Sequence, residues 1–113
     1  MKETFGTLLR DLRRLKNISQ RELAEKVGVD FSYISKLEND RLPPPAAETI
    51  VKIANVLGVP TEELLSQTNK LPSDLKEMLG SNSAALKFMN VARDMKLSQD
   101  EWNLLTDELK RLR

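Results

Sequence analysis

Apolar residues recur at helical spacing from the start of the chain. Phe5, Leu8, Leu9, Leu12 and Leu15 fall at i, i+3, i+4, i+7 and i+10, a single stripe that predicts a first helix over about residues 4–16. Arg10, Arg13, Arg14 and Lys16 occupy its other face. Ser19 and Glu22 have capping-box spacing, in which the serine oxygen accepts from a backbone N–H of the first turn and the glutamate reaches back, so a second helix is predicted to start near Gln20. Its inward residues are Leu23, Ala24 and Val27, and Gly28 is placed to take the positive φ that ends a helix. Asp30 then offers a second N-cap for a third helix over about residues 31–38, with Ile34 and Leu37 inward. Only Gly28, Val29 and Asp30 separate the two helices.

The prolines at 43, 44 and 45 exclude helix from the positions before them and predict a stiff, extended connection. A fourth helix follows, with the stripe Ile50, Ile53, Ala54 and Leu57, ended by Gly58; Pro60 and Thr61 begin a short fifth one carrying Leu64 and Leu65. The run SQTNKLPSD reads as loose connection, giving a domain over residues 1–66, a linker over 67–72 and a helical segment over 73–113. In that last segment Ser73 could cap a short helix ending at Gly80. Asn82 or Ser83 could cap another carrying Leu86, Met89 and Val91 or Ala92. Ser98 and Glu101 repeat the capping-box spacing before a final helix from Gln99, along which Trp102, Leu105, Leu109 and Leu112 recur at i, i+3, i+7 and i+10. The fold expected is all-α.

Composition narrows the chemistry. The 113 residues contain no cysteine and no histidine, which removes disulfides, thiolate nucleophiles, Ser-His and Cys-His pairs and metal sites built on imidazole or thiolate. No catalytic residue, cofactor or metal is expected, and the chain is not read as an enzyme. No run of 18 apolar residues and no signal-type apolar stretch occurs, so the expected location is the cytoplasm. Eighteen basic residues against 17 acidic ones leave a net charge of +1, an awkward balance for binding nucleic acid unless the charges are segregated.

Two short helices joined by a tight glycine-containing turn form a helix-turn-helix, whose second helix can enter a DNA major groove. Counting from Gln20, Ala24 stands fifth, Gly28 ninth, Ile34 fifteenth and Leu37 eighteenth. Through SQRELAEKVGVDFSYISKLEN (19–39) and IVKIANVLGVPTEELL (50–65), the stretch resembles the Cro/cI-type, xenobiotic-response-element (XRE) family of bacterial and phage regulators. That resemblance covers about residues 4–66. It implies a five-helix lambda-repressor-like DNA-binding domain, here followed by a C-terminal helical extension.

Candidate DNA contacts follow. Gln20, at the start of the second helix with Arg21 beside it, can hold a phosphate oxygen through its amide and the free N–H groups of that turn. Ser32 and Lys36 stand one turn apart on the reader helix, flanked by Phe31 and Ser35. Lysine can donate to guanine, serine to either base type, and phenylalanine can meet a thymine methyl unless the core claims it. The hydroxyl of Tyr33 could reach a phosphate or a base. Arg41, just beyond the helix, is a natural backbone contact, as in the family. The resemblance also implies a structural pair, Arg13 with Glu38, outside the DNA contacts. Position 40 departs from the family, with Asp40 where glycine is usual; aspartate tolerates the left-handed conformation, but its charge bears on any phosphate nearby.

Counted by region, residues 1–41 carry nine basic residues, Lys2 among them, against seven acids, while residues 42–66 carry Lys52 against three. Because each neutralised phosphate adds only about −0.9 to the log-log salt slope, one copy should bind weakly and two copies should double the count. The Leu86, Met89, Trp102, Leu105, Leu109 and Leu112 face could fold back on the core or make a dimer interface, and the second is preferred. In layout the tail resembles the dimerising tails of sporulation-inhibitor-type repressors, where an antagonist protein also docks. The function expected is sequence-specific transcriptional regulation, as a repressor binding double-stranded DNA at an inverted repeat as a homodimer. The alternatives are an antitoxin, mobile-element or restriction-system controller acting on its own operon, or a protein-interaction module on the same domain.

Overall fold

The structure, a computed structural model, describes residues 3–113; Lys2, counted above among the basic residues, lies outside them. Every regular element among the described residues is an α-helix, so the all-α expectation holds. The chain divides into two compact units, Met1–Ser73 and Asp74–Arg113.

The first unit contains α1 (Phe5–Leu15), α2 (Gln20–Val27), α3 (Phe31–Glu38), α4 (Ala47–Leu57) and α5 (Thr61–Leu65). Helix α2 packs on α3 and α4, α4 packs on α5, and α1 closes the arrangement against α3 and α5. Leu9, Leu23, Ile34, Ile50, Ile53 and Leu64 are completely buried at the centre, with Leu37 and Leu57 nearly so. Each such side chain contributes about 1.5–3 kcal/mol by leaving water, which makes this core the dominant source of stability.

Local signals set most helix ends. Ser19 Oγ accepts from the Glu22 backbone N–H at 3.0 Å. The glutamate does not close the expected box, because its carboxylate pairs with Lys26 Nζ at 3.1 Å, one turn along the same helix. Gly28 (φ 88°) and Gly58 (φ 69°) end α2 and α4 in the left-handed conformation, where a Cβ would be strained. Helix α1 carries a box the pattern does not announce: Thr7 N–H donates to Thr4 Oγ1 at 3.1 Å and Thr4 N–H donates to Thr7 Oγ1 at 2.9 Å.

Leu15, expected in the inward stripe of α1, is instead 73% exposed. The buried residues of this helix are Phe5, Gly6, Leu9 and Arg13. At about 100° per residue Leu15 lies some 120° around the helix from Leu9, so the true inward face is rotated toward Gly6 and Arg13, two residues that hydrophobicity does not count. Residues 67–72, expected to be a linker, are fastened to the first unit. Lys70 Nζ donates to the carbonyl oxygens of Pro44 and Pro45 at 2.9 Å each.

The second unit holds the body of α6 (Ser73–Gly80), then α7 (Ser83–Met95) and α8 (Gln99–Lys110). Asn82 caps α7, and Ser98 and Glu101 form the complete reciprocal box at α8. Lys96, at φ 51°, turns the chain between the two helices. Ala92 is the one buried residue among the described residues of this unit. Leu86, Met89, Trp102, Leu105, Leu109 and Leu112 are all exposed, from 37% at Trp102 to 76% at Leu112. All of them except Leu86 help to line an apolar groove of about 600 Å³, together with Met78, Leu79 and Phe88.

Candidate nucleic-acid interface

Helices α2 and α3 meet around Ala24, which is buried and small enough for close approach, and the turn is drawn tight by Gly28 N–H and Val29 N–H, both donating to the Ala24 carbonyl at 2.9 Å. Burial of Ile34, Leu37 and Glu38 fixes the rotation of α3. With those three inward, Ser32 and Lys36 stand exposed one turn apart, free of the core. Phe31 is 40% exposed and lies outside the core cluster, so it belongs to the surface. Tyr33 and Ser35 are half-buried, the tyrosine with its ring against the core. Arg21 and Arg41 are exposed.

A buried charge network anchors this surface from behind. Arg13 Nε donates to Glu38 Oε2 at 2.6 Å and Arg13 Nη2 to Glu38 Oε1 at 3.0 Å, a bidentate pair tying α1 to the end of α3. Arg13 Nη1 also donates to the Ile18 carbonyl at 2.8 Å. Gln20, a candidate phosphate contact, has its amide Nε2 at 2.9 Å from Glu38 Oε1. One of its two amide hydrogens is therefore engaged, and the glutamine is held in place at the start of α2 with the other hydrogen left to donate.

Asp40 takes the left-handed conformation (φ 59°) that glycine would supply at no cost. Its Oδ2 accepts from Thr4 Oγ1 at 2.9 Å, which directs the carboxylate to the first turn of α1, where the helix dipole favours negative charge. Gly6 makes this approach possible. A Cβ there would collide with the Leu37 carbonyl oxygen and with the Asp40 carboxylate. Sequence reasoning missed the role of Gly6, since nothing local marks a helical glycine as a contact point. It also missed a pairing across the turn: Arg21 Cζ sits 4.6 Å over the centroid of the Phe31 ring. No helix of the described residues is long and apolar enough to cross a membrane.

A helix-turn-helix family model matches residues 9–64. Among curated proteins, the chain is 37% identical over 76 residues to RghRB of Bacillus subtilis, an uncharacterised HTH-type transcriptional regulator; the match covers 65% of this chain and 55% of that one. It is 30% identical over 114 residues to RghR of the same organism, an HTH-type transcriptional repressor, covering 94% of this chain and 82% of the relative. Among solved structures, SinR in complex with DNA superposes with a TM-score of 0.52 at 35% identity, over 55% of this chain and 98% of that one. The SinR protein/SinI protein complex gives a TM-score of 0.54 at 28% identity, over 95% of both chains. With the α2–turn–α3 geometry on one side and these matches on the other, the chain belongs to the helix-turn-helix family of DNA-binding transcriptional regulators, of the XRE type.

Proposed function

We propose that the protein is a repressor that binds an inverted-repeat operator as a homodimer, with the N-terminal unit reading DNA and the C-terminal helices joining two copies. The observation that carries the first half is the rotation of α3. Ile34, Leu37 and Glu38 are buried, which leaves Ser32 and Lys36 outward at major-groove spacing. Gln20, Arg21 and Arg41 supply phosphate contacts around them, and Tyr33 and Ser35 lie at the margin. RghR is named a repressor, and binding over a promoter represses by excluding polymerase.

The second half rests on the apolar face of α7 and α8. Phe88, Met89, Trp102, Leu105 and Leu109 are exposed together along one groove, a contiguous apolar face of the kind that marks an interaction site. A second copy is the occupant that suits its charges. Helix α8 begins with Asp100 and Glu101, while its end mixes Asp107 and Glu108 with Lys110, Arg111 and Arg113, Arg111 being paired with Glu108 at 3.1 Å. Antiparallel pairing about a two-fold axis therefore sets the acidic start against an end that is net +1. SinR is seen in complex with another protein, SinI, and a partner protein that bound the α7–α8 face here would compete with the second copy.

The test selects duplexes from a random library with the full chain and measures affinity for the winners. Lys36→Ala and Ser32→Ala should weaken specific binding by about 5- to 50-fold each, while Gln20→Ala weakens all duplexes alike. Unchanged specific affinity in both α3 variants would sink the base-reading assignment. Selection of no duplex at all would favour a protein-interaction module. Trp102→Asp should convert the solution mass from dimer to monomer; a retained dimer mass places the interface elsewhere.

A further inference from the structure

Arg21 and Phe31 open the two helices of the DNA-facing motif, Arg21 in the first turn of α2 and Phe31 as the first residue of α3. Both are exposed, and the guanidinium carbon stands 4.6 Å over the ring centroid. Among the described residues Arg21 has no hydrogen bond and no ion pair, in contrast to Arg13, Lys26, Arg93 and Arg111. Its five N–H donors are unspent, and among the described residues the aromatic face is the one directional contact it makes. A cation so placed is attracted by the ring quadrupole and keeps its donors. An arginine held in this way also loses less rotamer freedom when it meets an anion than one waving in solvent.

We propose that Phe31 is a positioning residue that holds Arg21 for one DNA backbone phosphate beside Gln20, and that it does not read a thymine methyl. The geometry favours this over direct base contact because one face of the ring already carries the guanidinium, which ties the side chain to the start of α2. Phe31 then contributes affinity without base preference, and the sequence reading of α3 falls to Ser32 and Lys36. The inference rests on the DNA-binding reading above.

The test uses the full chain and the duplex it selects, titrated at about 50 and 200 mM salt. Arg21→Ala should weaken binding and make the log-log salt slope shallower by about 0.9 per bound protomer. Phe31→Ala and Phe31→Leu should each weaken it about 2- to 5-fold, with the salt slope and the selected sequence unchanged, and Phe31→Trp should restore it. In an Arg21→Ala background the Phe31 substitutions should cost nothing further. Full binding by Phe31→Leu, an equal loss in the Arg21→Ala background, or an altered base preference in Phe31→Ala would each overturn the proposal. The free protein provides an independent readout: ring-current upfield shifts of the Arg21 Hδ protons, lost in Phe31→Leu. Unshifted protons in the wild type would overturn the stack itself. Shifted protons with no duplex selected would leave the stack standing and overturn its phosphate role together with the DNA-binding reading.

Discussion

The two units of this protein use the same kinds of residue at the same helical spacing and reach opposite ends of the burial scale. In the first, Ile50, Ile53, Ala54 and Leu57 on α4 disappear completely or nearly so into a core shared with α2 and α5. In the second, Trp102, Leu105 and Leu109 on α8, with Leu112 just beyond its end, continue as regular a stripe and stay exposed. The difference lies in the partners. A stripe of about 100° is buried only when other helices cover it, and five helices in the first unit suffice where the second has too few. Apolar periodicity therefore identifies a face that must be covered, and leaves open by what.

Substitutions in each unit test that contrast. The largest effect is expected at Arg13→Ala, which leaves Glu38 buried without its bidentate partner and should cost the first unit about 3–5 kcal/mol in urea unfolding. Restoring the loss by pairing it with Glu38→Leu would show that the penalty belongs to the orphaned charge. Gly6→Ala should cost about 1–3 kcal/mol by pushing α1 away from the end of α3, and hydrogen exchange should find new opening at both places. Ser98→Ala, which removes half of a reciprocal cap from α8, should cost the second unit about 1 kcal/mol. Leu109→Ala should change unfolding by less than about 0.5 kcal/mol when measured at concentrations where the chain is monomeric. A loss of several kcal/mol there would mean that the stripe is packed within the chain and would remove the contrast.

Much of the first unit was legible in the chain. Helix α2 begins at Ser19 and helices α2 and α4 end at Gly28 and Gly58, because capping and left-handed termination are interactions within four residues. The spacing of Ala24, Gly28, Ile34 and Leu37 located the helix-turn-helix, and the resemblance built on it paired Arg13 with Glu38 correctly. What stayed illegible was directional. Hydrophobic counting set the inward face of α1 toward Leu15, since an arginine and a glycine carry no apolar weight, yet Arg13 and Gly6 are the positions that α3 touches. Glu22 had the right spacing for a cap and found a lysine on its own helix instead. Phe31 was divided between core and surface, because one aromatic at a helix start has no periodicity to argue from.

The chain itself specified which segments become helices and that a tight glycine turn joins α2 to α3, because the forces responsible act over one or two turns. Folding brings Glu38 to Arg13 and Gln20 together, across separations of 25 and 18 residues, and turns the Asp40 carboxylate to Thr4, 36 residues away. The physical reason is that a charge or an aromatic ring takes its role from whatever the fold brings within about 3–5 Å of it, and no local pattern encodes that neighbour.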